Sequence, residues 1–175
     1  MKPIPGWDLI NEAGEMKRLP AGIYGVVITK VVDVPEKEYF EIYCDITKGE
    51  YKDYFKTLVS NGMKDTSRDI RSYKTNALPF FKGFITAVEK TNPGYKWDWD
   101  EQKLVGKNVM AVFGEEEYLD KEGNLKVRTS VQEFRSLEAF QKGLLKVPEI
   151  KRLEKAPEVL PEDPLPSDLS AELPF

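Results

Sequence analysis

The chain has 175 residues, 41% of them hydrophobic, a formal net charge of −4, one cysteine and no histidine. That composition excludes Ser-His and Cys-His nucleophile pairs, His/Cys zinc sites, thiol relays and any intrachain disulfide. A binding protein is therefore expected rather than an enzyme, with no metal and no cofactor.

Charge divides the chain. From Pro148 to Phe175 there are three basic and seven acidic residues, which leaves 23 of each sign before them, and six of the 12 prolines fall in the same stretch. Acidic, proline-rich sequence of this kind stays extended and solvated. The expected organisation is one domain over residues 1–147 and a disordered tail over 148–175, with the boundary between Val147 and Lys155. No apolar run approaches the roughly 18 residues of a membrane span. The start, Met1-Lys-Pro-Ile-Pro-Gly-Trp7, lacks the apolar stretch of a signal peptide, so a cytoplasmic protein is expected.

The β-branched run Ile23 to Val34 predicts a first strand, with a bend or bulge at Gly25 and a turn at Pro35 to Glu38. Tyr39 to Thr47 alternates: Phe40, Ile42, Cys44 and Ile46 share one side, Tyr39, Glu41, Tyr43 and Asp45 the other. Cys44 is then a small buried hydrophobe. After Lys48-Gly49-Glu50, the parity of Tyr51 to Val59 predicts a third strand whose outer side carries Lys52, Tyr54 and Lys56. Ser60 to Asn76 reads as a basic flap with Lys64, Arg68, Arg71, Tyr73 and Lys74. Helical spacing of Phe80, Phe81, Phe84, Ile85 and Val88 predicts a helix over Leu78 to Lys90, stopped by Asn92-Pro93-Gly94. Trp97 and Trp99 either stack on a ligand or pack as a lid. Lys103 to Phe113 predicts strand four, extended through Gly114 to Leu119. Glu115, Glu116 and Glu117 alternate in direction along it and cannot converge on a metal ion. After the turn Asp120 to Asn124, Leu125 to Phe134 returns as strand five with Lys126 and Arg128 outward. Ser136 caps a closing helix, Leu137 to Val147, with Leu137, Phe140, Leu144 and Val147 inward.

Three strands, a helix and a two-stranded hairpin form the element order of a mainly β, five-stranded OB-fold Greek-key barrel, here with a short C-terminal helix and a disordered acidic tail. Unpaired nucleic acid needs flat rings for its bases and cations for its phosphates. The outward set Tyr39, Tyr43, Lys52, Tyr54, Lys56, Arg68, Arg71, Tyr73, Lys74, Lys126 and Arg128 offers both. With a body of zero net charge, binding must depend on how charge is distributed, and it should weaken as salt is added. A barrel that binds protein and not nucleic acid, an adaptor, is the alternative.

Leu19-Pro-Ala-Gly-Ile-Tyr24, Leu104-Val-Gly-Lys107, Gly114-Glu-Glu-Glu-Tyr118, Lys126-Val127 and Phe134-Arg135-Ser136 resemble phage-encoded single-stranded-DNA-binding proteins of Gram-positive hosts. The ending resembles the acidic Pro-Phe tip of bacterial single-stranded-DNA-binding proteins. The resemblance implies a protein that coats single-stranded DNA with little sequence preference in replication, recombination and repair, in the host cytoplasm. It also implies that partner proteins dock on the tip, with Pro174 and Phe175 in an apolar pocket, Asp168 and Glu172 on a basic rim, and Leu173 where isoleucine is common. Self-association is left open.

Overall fold

The computed structural model describes residues 1–12, 14 and 16–154. Five antiparallel strands form one sheet in the order β3-β2-β1-β4-β5: β1 (Gly22–Val34), β2 (Tyr39–Ile46), β3 (Asp69–Ser72), β4 (Asn108–Leu119) and β5 (Leu125–Arg135). β3 and β5 are its edges and do not pair, so the sheet is open. Among the described residues three α-helices accompany it, α1 (Tyr54–Ser60), α2 (Leu78–Thr91) and α3 (Leu137–Gln141).

The parity of β2 holds for its apolar side, since Phe40, Ile42, Cys44 and Ile46 are all buried. Burial pushes the Cys44 thiol pKa up and leaves it protonated and inert. These residues meet Val26, Ile28 and Val31 of β1, Val109, Ala111 and Phe113 of β4, and Phe81, Phe84 and Val88 of α2. The bulge in β1 falls between Ile28 and Lys30 and not at Gly25.

The predicted third strand is a correction. Tyr51 to Asp53 form a turn, and Tyr54–Ser60 is a helix with Phe55 and Leu58 buried. Asp45, expected on the outer side of β2, is buried instead. Its carboxylate accepts hydrogen bonds from the backbone N–H groups of Ile46 (2.9 Å), Phe55 (3.0 Å) and Lys56 (3.0 Å). A side chain from the preceding strand thus satisfies two of the free donors at the start of α1 and fixes where the helix begins. The true β3 is four residues inside the predicted flap, paired to β2 as Tyr39↔Ser72 and Glu41↔Ile70.

Phe81, Phe84, Ile85 and Val88 of α2 are buried as expected, but Phe80 points to solvent. Strand four starts later than predicted, because Glu101–Leu104 is a 3-10 turn capped by Asp100. Ser136 does cap α3, accepting from the N–H of Ala139 (3.1 Å). That helix ends early, at Gln141, with Gly143 just beyond it at φ 68, and Leu137, Phe140, Leu144 and Val147 are all exposed.

Within β4, only the stretch from Asn108 to Phe113 runs beside β1. Beyond Phe113, β4 and β5 continue as a hairpin past the last residue paired with β1. On the side that β1 has left, Lys151 bridges β4: its N–H donates to the Glu115 carbonyl (2.9 Å) and its carbonyl accepts from Glu117 (2.8 Å).

Candidate nucleic-acid interface

The β4-β5 hairpin forms one wall of a cleft of about 790 Å³. The opposite wall is the segment Met16 to Leu19, α1, and the loop from Met63 into β3. Thr129 Oγ1 donates to the Leu19 carbonyl (2.6 Å), tying the floor to the hairpin. Five basic side chains line the cleft, Lys17, Arg18, Lys64, Arg68 and Arg128, against the acidic Asp65, Asp69 and Glu116.

The three arginines each meet one carboxylate. Arg18 contacts Glu115 at 3.2 Å, Arg68 contacts Glu41 at 2.6 Å and Arg128 contacts Glu116 at 2.6 Å. A guanidinium has five N–H donors, so one carboxylate leaves donors for a phosphate. Lys17 and Lys64 have no ion pair among the described residues. Ring surface comes from Tyr118, over which the Arg128 guanidinium lies at 5.3 Å. Met16, Met63 and Ile70 add apolar lining.

Arg68 and Arg128 are the predicted site residues that this cleft brings together. Tyr54 lines it as well, but its hydroxyl is committed, donating to the Lys17 carbonyl (2.9 Å) and accepting from the N–H of Leu19 (3.1 Å). Burial pushes that phenol pKa up. Tyr54 therefore positions the N-terminal segment and does not stand on an outer strand face. Lys126 sits two residues from Arg128, paired with Asp120 at 3.1 Å.

Tyr39 and Tyr43 are half-buried on the outer face of β2, which reaches the cleft through Arg68 and Ile70. Tyr43 donates to Glu41 (3.2 Å) and lies under the Lys30 ammonium at 5.2 Å. The hydrogen bond and charge of Arg68 hold the Glu41 carboxyl below its ordinary range. A phosphate on this face must compete with Glu41 for Arg68.

Five predicted residues lie elsewhere. Lys52 is in the turn before α1 and Lys56 on the helix, both exposed and outside the cleft. Tyr73 faces a different groove beside α2, where its hydroxyl donates to Asp33 (2.8 Å), and Lys74 follows it. Arg71, read as a free cation of the flap, points to the core side of β3 and pairs with Asp69 at 2.5 Å. Trp97 packs against Phe40, ring centroids 6.3 Å apart, while Trp99 is exposed. Asp168, Glu172, Leu173, Pro174 and Phe175 lie outside the described residues.

Sequence reasoning missed Lys17, Arg18 and Tyr118. The usable signal for Tyr118 was the hairpin itself, since folding about Asp120 to Asn124 sets Tyr118 opposite Lys126. Lys17 and Arg18 precede the first strand, where parity gives no direction. Among the described residues no group of His, Cys, Asp or Glu is arranged to hold a metal ion, and no helix is long and apolar enough to cross a membrane. No family model matches the chain, and no curated protein matches it.

Proposed function

We propose that the chain is a single-stranded-DNA-binding protein and that the cleft between the β4-β5 hairpin and the Met63 to Ile70 loop receives the strand. The observation that carries this reading is a cleft that brings together three arginines with donors to spare, Lys17 and Lys64 without an ion pair among the described residues, and the ring of Tyr118. Cations take the phosphates and the ring takes a base, without selecting sequence.

The sheet supports the same reading. Its order, β3-β2-β1-β4-β5, is that of a five-stranded Greek-key barrel of the OB type, left open between β3 and β5. In that architecture the ligand lies across strands two and three and the neighbouring loops, the side on which Arg68 and Ile70 enter this cleft. The segment resemblance to phage proteins adds a role in replication, recombination and repair. Recruitment of partner proteins through residues 168–175 belongs to the same proposal.

The test is fluorescence anisotropy of a labelled oligothymidylate titrated with protein. A labelled strand is needed because none of the three tryptophans lines the cleft. Saturable binding that weakens with salt supports the proposal. Absence of binding at low salt rejects it and favours the adaptor, a reading supported by the apolar groove beside α2.

A further inference from the structure

The two ends of β2 carry different unfilled surfaces. At the Tyr39 end, Phe40, Phe81 and Tyr73 line a groove of about 1080 Å³, with α2 on one side and Trp97 and Trp99 on the other. Trp99 has left-handed backbone (φ 68) and is 83% exposed, its ring 6.0 Å from that of Trp97. A bulky residue held in that conformation is strained, and such strain collects at ligand clamps. Leu78, on the α2 wall, is exposed as well. The groove's charged residues are Asp33, Glu89 and Glu101 against Lys82 alone. An apolar occupant without acidic groups fits it.

The chain's own N-terminal arm has that chemistry. Its stretch through Trp7 exposes Ile4 and Trp7, the latter by 65%, and has Lys2 as its one charged side chain, with Asp8 and Glu12 only after it. The acidic segment 148–175 has the wrong sign for the groove. The Asn11 N–H donates to Asn61 Oδ1 (2.9 Å), so the arm leaves the body at the C-terminus of α1. Asp45 ties the start of α1 to the Ile46 end of β2. The strand itself, eight residues long, spans about 23 Å, with the groove at its Tyr39 end and the start of α1 at the other.

We propose that the arm of one copy seats Ile4 and Trp7 in the Trp99 groove of the next, so that copies associate head to tail. Arm and groove are different surfaces, so the contact is heterologous and extends head to tail into a ring or an open array. It does not rest on nucleic-acid binding.

Sedimentation velocity of the full chain, free of nucleic acid and at concentrations up to about 1 mM, tests it. The average mass should climb past that of a dimer as concentration rises. Trp7→Ala and Trp99→Ala should each be monomeric. An equimolar mixture of the two should form a dimer and stop there, because the intact arm of one fills the intact groove of the other. If Trp99→Ala loses its circular dichroism signal, Leu78→Glu on the facing wall replaces it. A wild-type chain that stays monomeric, single variants that still polymerise, or a mixture that stays monomeric overturns the proposal.

Discussion

The Arg71 guanidinium lies 5.1 Å from the ring centroid of Phe134, spanning the open edge between β3 and β5. One of its nitrogens also donates to the Gln132 carbonyl (3.4 Å) while another holds Asp69. Burial raises the Asp69 pKa and Arg71 opposes that rise. Arg71 thus closes by side chain an edge that the backbone leaves unpaired. Arg71→Ala should cost about 2–4 kcal/mol, because Asp69 is left buried without its partner. Urea denaturation reads that loss, and the salt slope of DNA binding should stay as in the wild type.

The cleft makes a different demand on Lys17 and Lys64. Each phosphate neutralised on a single strand adds about 0.7 to the slope of log affinity against log salt. Lys17→Ala with Lys64→Ala should lower the slope by about 1.4 and leave the denaturation midpoint unchanged. Lys52→Ala with Lys56→Ala, outside the cleft, should leave the slope as it was. Anisotropy titrations over a range of salt measure both.

Tyr118 is on the part of the hairpin beyond β1, paired in register with Lys126. Loss of one stacking ring costs about 1–3 kcal/mol of binding. Tyr118→Ala should therefore weaken oligothymidylate binding by about 5- to 160-fold, Tyr118→Phe should retain affinity, and the melting temperature of both should match the wild type. Equal affinity for the alanine variant would remove this ring from the site.

The edges of this fold were harder to read from sequence than its centre. β2 and α2 follow their apolar periods because one face of each is pressed into the core. Tyr51 to Val59 fits two periods at once: alternate residues suggest a strand, whereas Tyr51, Phe55 and Leu58 recur at helical spacing. What decides between them is Asp45, a carboxylate distant in sequence, and no local pattern contains that information. The stop at Asn61-Gly62, with Gly62 at φ 76, was the available local sign of a helix end. β3 has no apolar period, since Asp69 and Arg71 face inward as a pair, and is held by backbone pairing. The cleft inherits both difficulties: its cations come from segments without a period, and only Arg68 and Arg128 could be placed by type and position.

Alkali tests the other end of the sheet. Burial and then the hydrogen bond to Asp33 push the Tyr73 phenol up to about 12 from its ordinary 10.0. The folded state therefore keeps a proton that the unfolded chain releases first. The resulting stabilisation is complete below about pH 10 and fades as pH rises through about 12. Across that window the wild-type denaturation midpoint should fall more steeply than that of Tyr73→Phe, which has no phenol to titrate.

Gly114 controls how the chain after α3 meets the hairpin. A Cβ there would stand 2.8 Å from Gln132 Cγ and 2.9 Å from Pro148 Cγ, closer than packed carbons allow. Gln132 cannot move alone, because its amide oxygen accepts from the Lys151 ammonium. Either relaxation displaces the same segment, through Pro148 or through Lys151. Gly114→Ala should therefore break the Lys151 bridge to Glu115 and Glu117 at a cost of about 1–3 kcal/mol. The Glu117 and Lys151 amides should then exchange faster with solvent, and trypsin should cut after Lys151 and Arg152 sooner than in the wild type. Unchanged exchange and cleavage would mean that the segment is not held against Gly114.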